Sequence, residues 1–220
     1  MEKLARVVLI ILVGFLPISC SSPDVPTPTT RGVYMLLDTS GTYTKELKKA
    51  RQIIAFLLTQ MEAGDAFAVA RIDTGSFSEK DIVAKMTFND RPSTANKEKR
   101  VFMDKIDEFI EKTRPAAYTD ITGGLLQADE FLTEHEVGRK TILVFSDMRE
   151  ELPAGYNRDM VLSFEGVEVV AVNVTKLRSD NIDPREYLDR LAAWRDKVES
   201  GGGEWRVIND LDRLGKLLQN

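Results

Sequence analysis

Short apolar runs separated by amphipathic stretches recur from Val33 onward, and this alternation restricts the fold more than any other feature of the chain. Val33 to Leu37 is apolar throughout, as a strand buried on both faces must be. Leu47, Ile54, Leu57 and Met61 then recur at helical spacing until Gly64. Ala66 to Ile72 and Asp81 to Phe88 flank a Gly/Ser loop, which predicts a hairpin and therefore one antiparallel edge strand. Phe102, Ile106 and Phe109 mark the next helix, and Leu125, Leu126 and Phe131 another. Ile142 to Phe145 and Val167 to Val172 read as further buried strands, while Tyr187, Leu191 and Trp194 line a helix that stops before Gly201 to Gly203. Trp205 to Ile208 and Leu211 to Leu218 close the chain as strand and helix. The pattern predicts a doubly wound α/β domain over residues 32–220, with a mostly parallel sheet, one antiparallel edge strand and helices on both faces.

In such sheets ligands sit outside the carboxyl ends of the strands, and the chemistry-bearing residues collect there. Asp38 to Thr42, reading DTSGT, follows the first apolar run and puts a carboxylate and two hydroxyls on one short turn. Oxygen donors without nitrogen or sulfur suit a hard divalent cation, Mg²⁺ first, with Mn²⁺ or Ca²⁺ as further choices. One turn cannot fill an octahedron. Thr119, just before a helix that starts near Thr122, and Asp147, after the run Ile142 to Phe145, supply the missing side.

Taken together, DTSGT, then YTDITGGL at Tyr118 to Leu125, then VFSDM at Val144 to Met148, resemble the three-loop metal site of von Willebrand factor A-type domains. That family's site, the metal-ion-dependent adhesion site, has the motif D-x-S-x-S with a distal Thr and a distal Asp. The resemblance implies Asp38, Ser40, Thr42, Thr119 and Asp147 as the metal ligands. It also implies a binding function rather than catalysis: an acidic side chain of a protein partner completes the coordination of the metal. Two positions depart from the pattern. Thr42 stands where Ser is usual, and Met148 stands where Gly commonly follows the last Asp, a residue that tolerates positive φ. A metal-free scaffold of the same fold is the alternative reading, because Asp, Ser and Thr are also the favoured capping residues of helices and turns.

Lys3 and Arg6 precede an apolar segment from Val7 to Ile18, shorter than the ~20 residues a membrane-spanning helix needs, so residues 1–19 read as a signal peptide. The segment ends LPISC, and Cys20 is the only cysteine, which resembles the lipobox of bacterial lipoproteins although Pro17 is atypical there. The resemblance implies lipidation at Cys20, and Ser21 in place of Asp after it implies the outer membrane of a bacterial envelope. A tether rich in Pro, Ser and Thr, residues 20–31, would reach on the order of 30 Å from the bilayer at ~3 Å per residue. With one cysteine the domain forms no internal disulfide, so its core carries its stability.

Other functions find less in the sequence. Lys and Arg number 30 against 35 Asp and Glu, a net charge of -5 with no basic tract, so nucleic acid has no electrostatic drive to bind. DTSGT resembles the aspartic-protease motif and IDTGS recurs at Ile72 to Ser76, but a long amphipathic helix lies between them, and Asp73 reads as the start of a hairpin loop. DTSGT also resembles the D-x-D-G-T turn of dehalogenase-like phosphotransferases, with Ser40 replacing the second Asp, which leaves a Mg²⁺-dependent phosphatase as a minor alternative. His135, the only histidine, lies in a charged segment and reads as a surface residue. The basic cluster Lys45, Lys48, Lys49 and Arg51 reads as a solvated helix face, Tyr43 as packing, and Gly201 to Glu204 as a loop rather than a phosphate cradle.

Overall fold

The computed structural model describes residues 29–41, 43–73, 78–158, 160–210 and 213–216. The signal segment, Cys20 and most of the tether lie outside the described residues, as do Thr42, Thr74 to Ser76 of the IDTGS sequence and both ends of the Leu211 to Leu218 helix. Of that last helix, residues 213–216 are helical, and Leu214 is buried.

Six strands form one sheet in the order β3-β2-β1-β4-β5-β6. They are β1 (Arg31–Leu37), β2 (Ala66–Arg71), β3 (Ile82–Thr87), β4 (Arg139–Phe145), β5 (Val167–Val172) and β6 (Glu204–Ile208). All neighbours pair in parallel except β2 and β3, which are antiparallel, so the doubly wound sheet with one reversed edge strand stands as expected. Arg31, at the tether's end by composition, is already the first residue of β1 and forks onto Asp65 at 2.6 and 2.9 Å.

The helices are α1 (Leu47–Gln60), α2 (Pro92–Lys112), α3 (Ile121–Glu134) and α4 (Pro184–Ser200). Alternation along each strand sends successive side chains to opposite faces. Val33, Met35 and Leu37 of β1 pack with Phe67, Phe145, α1 and α2, whereas Tyr34 and Leu36 pack with the small residues Ala66, Ala68 and Ala70, with α3, and with Trp194 and Val198 of α4. Each fully buried Val, Leu, Ile or Phe contributes about 1.5–3 kcal/mol, and the two layers hold most of the large apolar side chains.

The face under α3 is the tighter one. A Cβ on Gly124 would stand 2.5 Å from Ile72 Cγ2 and 3.0 Å from Leu36 Cδ2, so the missing side chain lets α3 lie close on the sheet. Tyr34 donates to Gln127 Oε1 (3.0 Å) and Gln127 Nε2 donates to the Ser78 carbonyl (2.6 Å), a polar thread from the central strand through α3 to the loop before β3. The crossover from β4 to β5 contains no helix among its described residues, and the side chains of Leu162 and Phe164 are buried there.

Candidate metal centre at the switch point of the sheet

Chain order runs one way from β1 to β2 and β3 and the other way from β4 to β5 and β6, so the sheet reverses between β1 and β4. Loops leaving these two strands diverge and open a crevice at their carboxyl ends. Asp38 leaves β1 and Asp147 leaves β4, and the Asp38 N–H donates to the Phe145 carbonyl at 3.0 Å, which ties the two exits together.

Asp38 is fully buried. Its Oδ1 accepts from the Ser40 N–H (2.8 Å) and its Oδ2 from Ser146 Oγ (2.6 Å), while the hydroxyls of Ser40 and Thr119 approach the same carboxylate. Burial pushes its carboxyl above the ordinary range, and these hydrogen bonds pull back against that rise. Among the described residues no Lys or Arg forms a salt bridge with it.

Asp147, also buried, is pushed up to about 6, first by burial and then by the charge of Asp38, against the Arg149 N–H (2.9 Å) and the nearby Arg190 and Arg149 guanidiniums. Thr119 is fixed by its main chain, which exchanges two hydrogen bonds with Glu151 (2.8 and 2.9 Å). The structure therefore brings Asp38, Ser40, Thr119 and Asp147 to one place; Thr42 lies outside the described residues. Ser40, Thr119 and Asp147 line a cleft of about 220 Å³ whose rim includes Arg149, Glu151 and Leu177.

The residue after Asp147 carries the local strain. Met148 takes φ 65°, the conformation for which Gly is the natural choice. Its side chain is buried among the residues of the α3 and α4 face, and its carbonyl accepts from Trp194 Nε1 (2.8 Å). One turn earlier on α4, Arg190 donates to the Asp147 carbonyl (3.0 Å) while its guanidinium is forked onto Asp180 (2.8 and 3.1 Å). Helix α4 thus grips the main chain of the loop that aims Asp147.

Several residues of the site were inside the quoted segments yet not singled out by sequence. Ser146 orients Asp38 across 108 positions of chain. Asp120 caps α3 by accepting from the Gly123 N–H (2.8 Å) and is held by Arg158 (2.7 Å), so its charge is already met and it is not available as a further ligand. Glu150 accepts from both the N–H (2.7 Å) and the hydroxyl (3.1 Å) of Thr122, joining the β4 loop to the start of α3. Arg158, Arg190 and Trp194 lie far along the chain from what they hold; helical spacing marks Trp194 as lining its helix, but nothing local marks any of the three for these contacts.

Other sequence expectations find their places here. Tyr43 is buried edge-on against Phe145 at 5.1 Å and donates to the Asn173 carbonyl (2.5 Å), so it packs. His135 is exposed at the end of α3, and Asp73 pairs with Arg71 at 3.1 Å just beyond β2. Lys45, Lys48, Lys49 and Arg51 are exposed, with Arg51 forked onto Asp107.

The residues present fit a hard divalent cation. Two buried carboxylates repel each other beside a cleft, and the donors around them are oxygens only; a cation there would relieve the repulsion and lower both raised pKa values.

No protein-family model matches the sequence, nor does any curated protein. Among solved structures the chain is similar to a von Willebrand factor type A protein from Catenulispora acidiphila, with TM-score 0.51, 14% identity, and coverage of 87% of this chain and 41% of that one. It is similar also to the pilus adhesin SpaC of Lactobacillus rhamnosus GG in its open conformation (TM-score 0.51, 11% identity, 87% and 29%). The human COPII-coat protein Sec24c is a third (TM-score 0.50, 13% identity, 88% and 32%). The chain spans less than half the length of each. The likeness shows the fold, that of von Willebrand factor A-type domains.

Proposed function

We propose that the chain is a membrane-anchored protein-binding module that holds a divalent cation, Mg²⁺ first, and engages an acidic residue of a partner protein through it. The observation that carries this reading is the buried, mutually repelling pair Asp38 and Asp147 beside a cleft lined by hydroxyls. Asp38, Ser40, Thr42, Thr119 and Asp147 would hold the ion, which supplies a site for an incoming carboxylate. Ser146 and the Ser40 N–H orient Asp38, and Arg190 and the Arg149 N–H orient Asp147. With hydroxyls as part of the ligand set, fewer negative charges offset the cation, so a partner's carboxylate gains more by binding.

The test is calorimetric titration of Mg²⁺, Mn²⁺ and Ca²⁺ into the full chain in detergent, beside Asp38→Ala. Saturable one-site binding, lost in the variant with the fold retained by circular dichroism, is the expected result. Equal binding by both proteins would overturn the site. No binding by either would move the function to a metal-free scaffold, and turnover of a generic phosphate ester that is lost in Asp38→Asn would move it to the enzyme class.

A further inference from the structure

A second recessed surface opens beside the metal loops on the other side of β1. It begins at Thr39 and the α2-to-α3 connection, where a cavity of about 400 Å³ lies between Arg71 and the end of α2, and it continues into one of about 470 Å³ that reaches Asp81. The two share Arg71, Phe109 and Lys112, so they form one groove with the half-buried Phe109 ring on its wall.

Two residues lining this groove each carry a buried polar atom with no hydrogen-bond partner among the described residues: the Thr39 hydroxyl at the metal-loop end and Asp81 Oδ2 at the β3 end. Thr39 is 1% exposed and Asp81 4%. Such atoms are rare in folded proteins because each forfeits its hydration without return. Asp81 Oδ2 can only accept while the carboxylate is ionised, and the hydroxyl can donate as well as accept. A fully deprotonated anion such as sulfate offers acceptors alone and would repel the Asp81 carboxylate; a peptide main chain offers N–H and C=O together.

The charge around the groove selects among peptides. Arg71 is engaged by Asp73 (3.1 Å) and Asp81 (3.3 Å), and Lys112 by Glu108 (2.5 Å). Lys80, Lys105 and Arg114 are exposed and have no salt bridge among the described residues. The chain's net charge is -5, so three uncommitted cations along one groove run against the overall balance.

We propose that this groove is a docking site for an extended acidic peptide segment, which gives the partner a metal-independent second hold beside the metal centre. The main chain of the segment meets Thr39 and Asp81, its carboxylates meet Lys80, Lys105 and Arg114, and an apolar side chain covers Phe109. The inference rests on the protein-binding reading above but not on the metal.

The test is fluorescence anisotropy with a short fluorescein-labelled peptide of alternating Glu and Leu, titrated with the full chain in detergent and EDTA, beside its Gln-for-Glu counterpart. Binding of the Glu peptide alone, weakened on the order of tenfold in Lys105→Glu/Arg114→Glu and by added salt but unchanged in Asp38→Ala, is expected. Both reversed residues are exposed, so the variant should keep its fold. Equal binding by the charge-reversed variant would overturn the groove. Binding that needs Mg²⁺ and vanishes in Asp38→Ala, yet ignores the reversal, would also overturn it while leaving the metal-dependent function intact. Capture by phosphatidylglycerol vesicles without peptide binding would make the groove a membrane contact instead. If the metal titration fails and EDTA-resistant peptide binding persists, the groove stands and the metal reading falls.

Discussion

Asp147 is the residue where folding and function make opposed demands. Its carboxyl, ordinarily near 3.8, is raised to about 6 by burial and by Asp38, so between those values the folded chain holds a proton that the unfolded chain has released. Stability from this group is therefore full below about 3.8 and is lost as pH rises through about 6, at a cost on the order of 3 kcal/mol by pH 7.5. Asp38, also raised, acts in the same direction. The expected outcome for the metal-free chain is a higher denaturant midpoint at pH 5 than at pH 7.5, with a smaller difference in Asp147→Asn. Saturating Mg²⁺ should restore stability at pH 7.5. An unchanged pH dependence in the variant would sink this account. The neighbouring Met148 follows from magnitudes: a non-glycine residue with positive φ costs about 1–3 kcal/mol, whereas truncating a buried Met costs about 2–5 kcal/mol, so the side chain that packs outweighs the backbone it strains. Sequence marked Asp38, Ser40, Thr42, Thr119 and Asp147 through the resemblance to a three-loop metal motif, helped by Asp38 and Asp147 following apolar runs and Thr119 preceding a helix. It did not mark Ser146, Arg158 or Arg190, since which hydroxyl or guanidinium reaches which oxygen is decided by chain segments that meet only after folding.

Helix α3 combines two glycines, poor helix formers, with the position nearest the sheet. Gly124→Ala gains up to about 1 kcal/mol of helix propensity, but a Cβ 2.5 Å from Ile72 forces α3 outward, and overpacking costs about 1–3 kcal/mol. The net expectation is a modest loss of thermal stability together with weaker Mg²⁺ binding, because Thr119 immediately precedes the Asp120 cap of the same helix. A variant with lowered stability and unaltered metal affinity would show that α3 and the Thr119 loop move independently. Short apolar runs and helical spacing made most elements legible, including the reversed edge strand, which the Gly/Ser loop announced. Strand β4 starts three residues before the apolar run Ile142 to Phe145, because Arg139, Lys140 and Thr141 join the sheet through main-chain pairing that does not require apolar side chains. The α1 and α2 face and the α3 and α4 face could not be told apart in advance: which helix covers which side depends on crossover geometry, not on the pattern within any one element.

At the scale of the whole molecule, β1 fixes an axis. Arg31 opens the strand at one pole and Asp38 follows it at the other, roughly 20 Å away at about 3.3 Å per residue. Thr29 and Thr30 therefore enter at the pole opposite Asp38 and Asp147, and an anchor at Cys20, as proposed, would leave the loops that carry those two residues facing away from the membrane. Cys20→Ser should shift the chain from the membrane to the soluble fraction without changing its Mg²⁺ affinity; retention in the membrane fraction would overturn the anchor. Strand β1 is also one of the sheet's two central members, paired over Arg31–Leu37 with β4 and over Gly32–Leu37 with β2. A pull between an anchored amino-terminal end and a partner gripped at the far pole would run along this strand. The ladders on its two sides would then be loaded in shear, many hydrogen bonds at once, instead of peeling open one after another, which is the arrangement a tethered module needs to hold under tension.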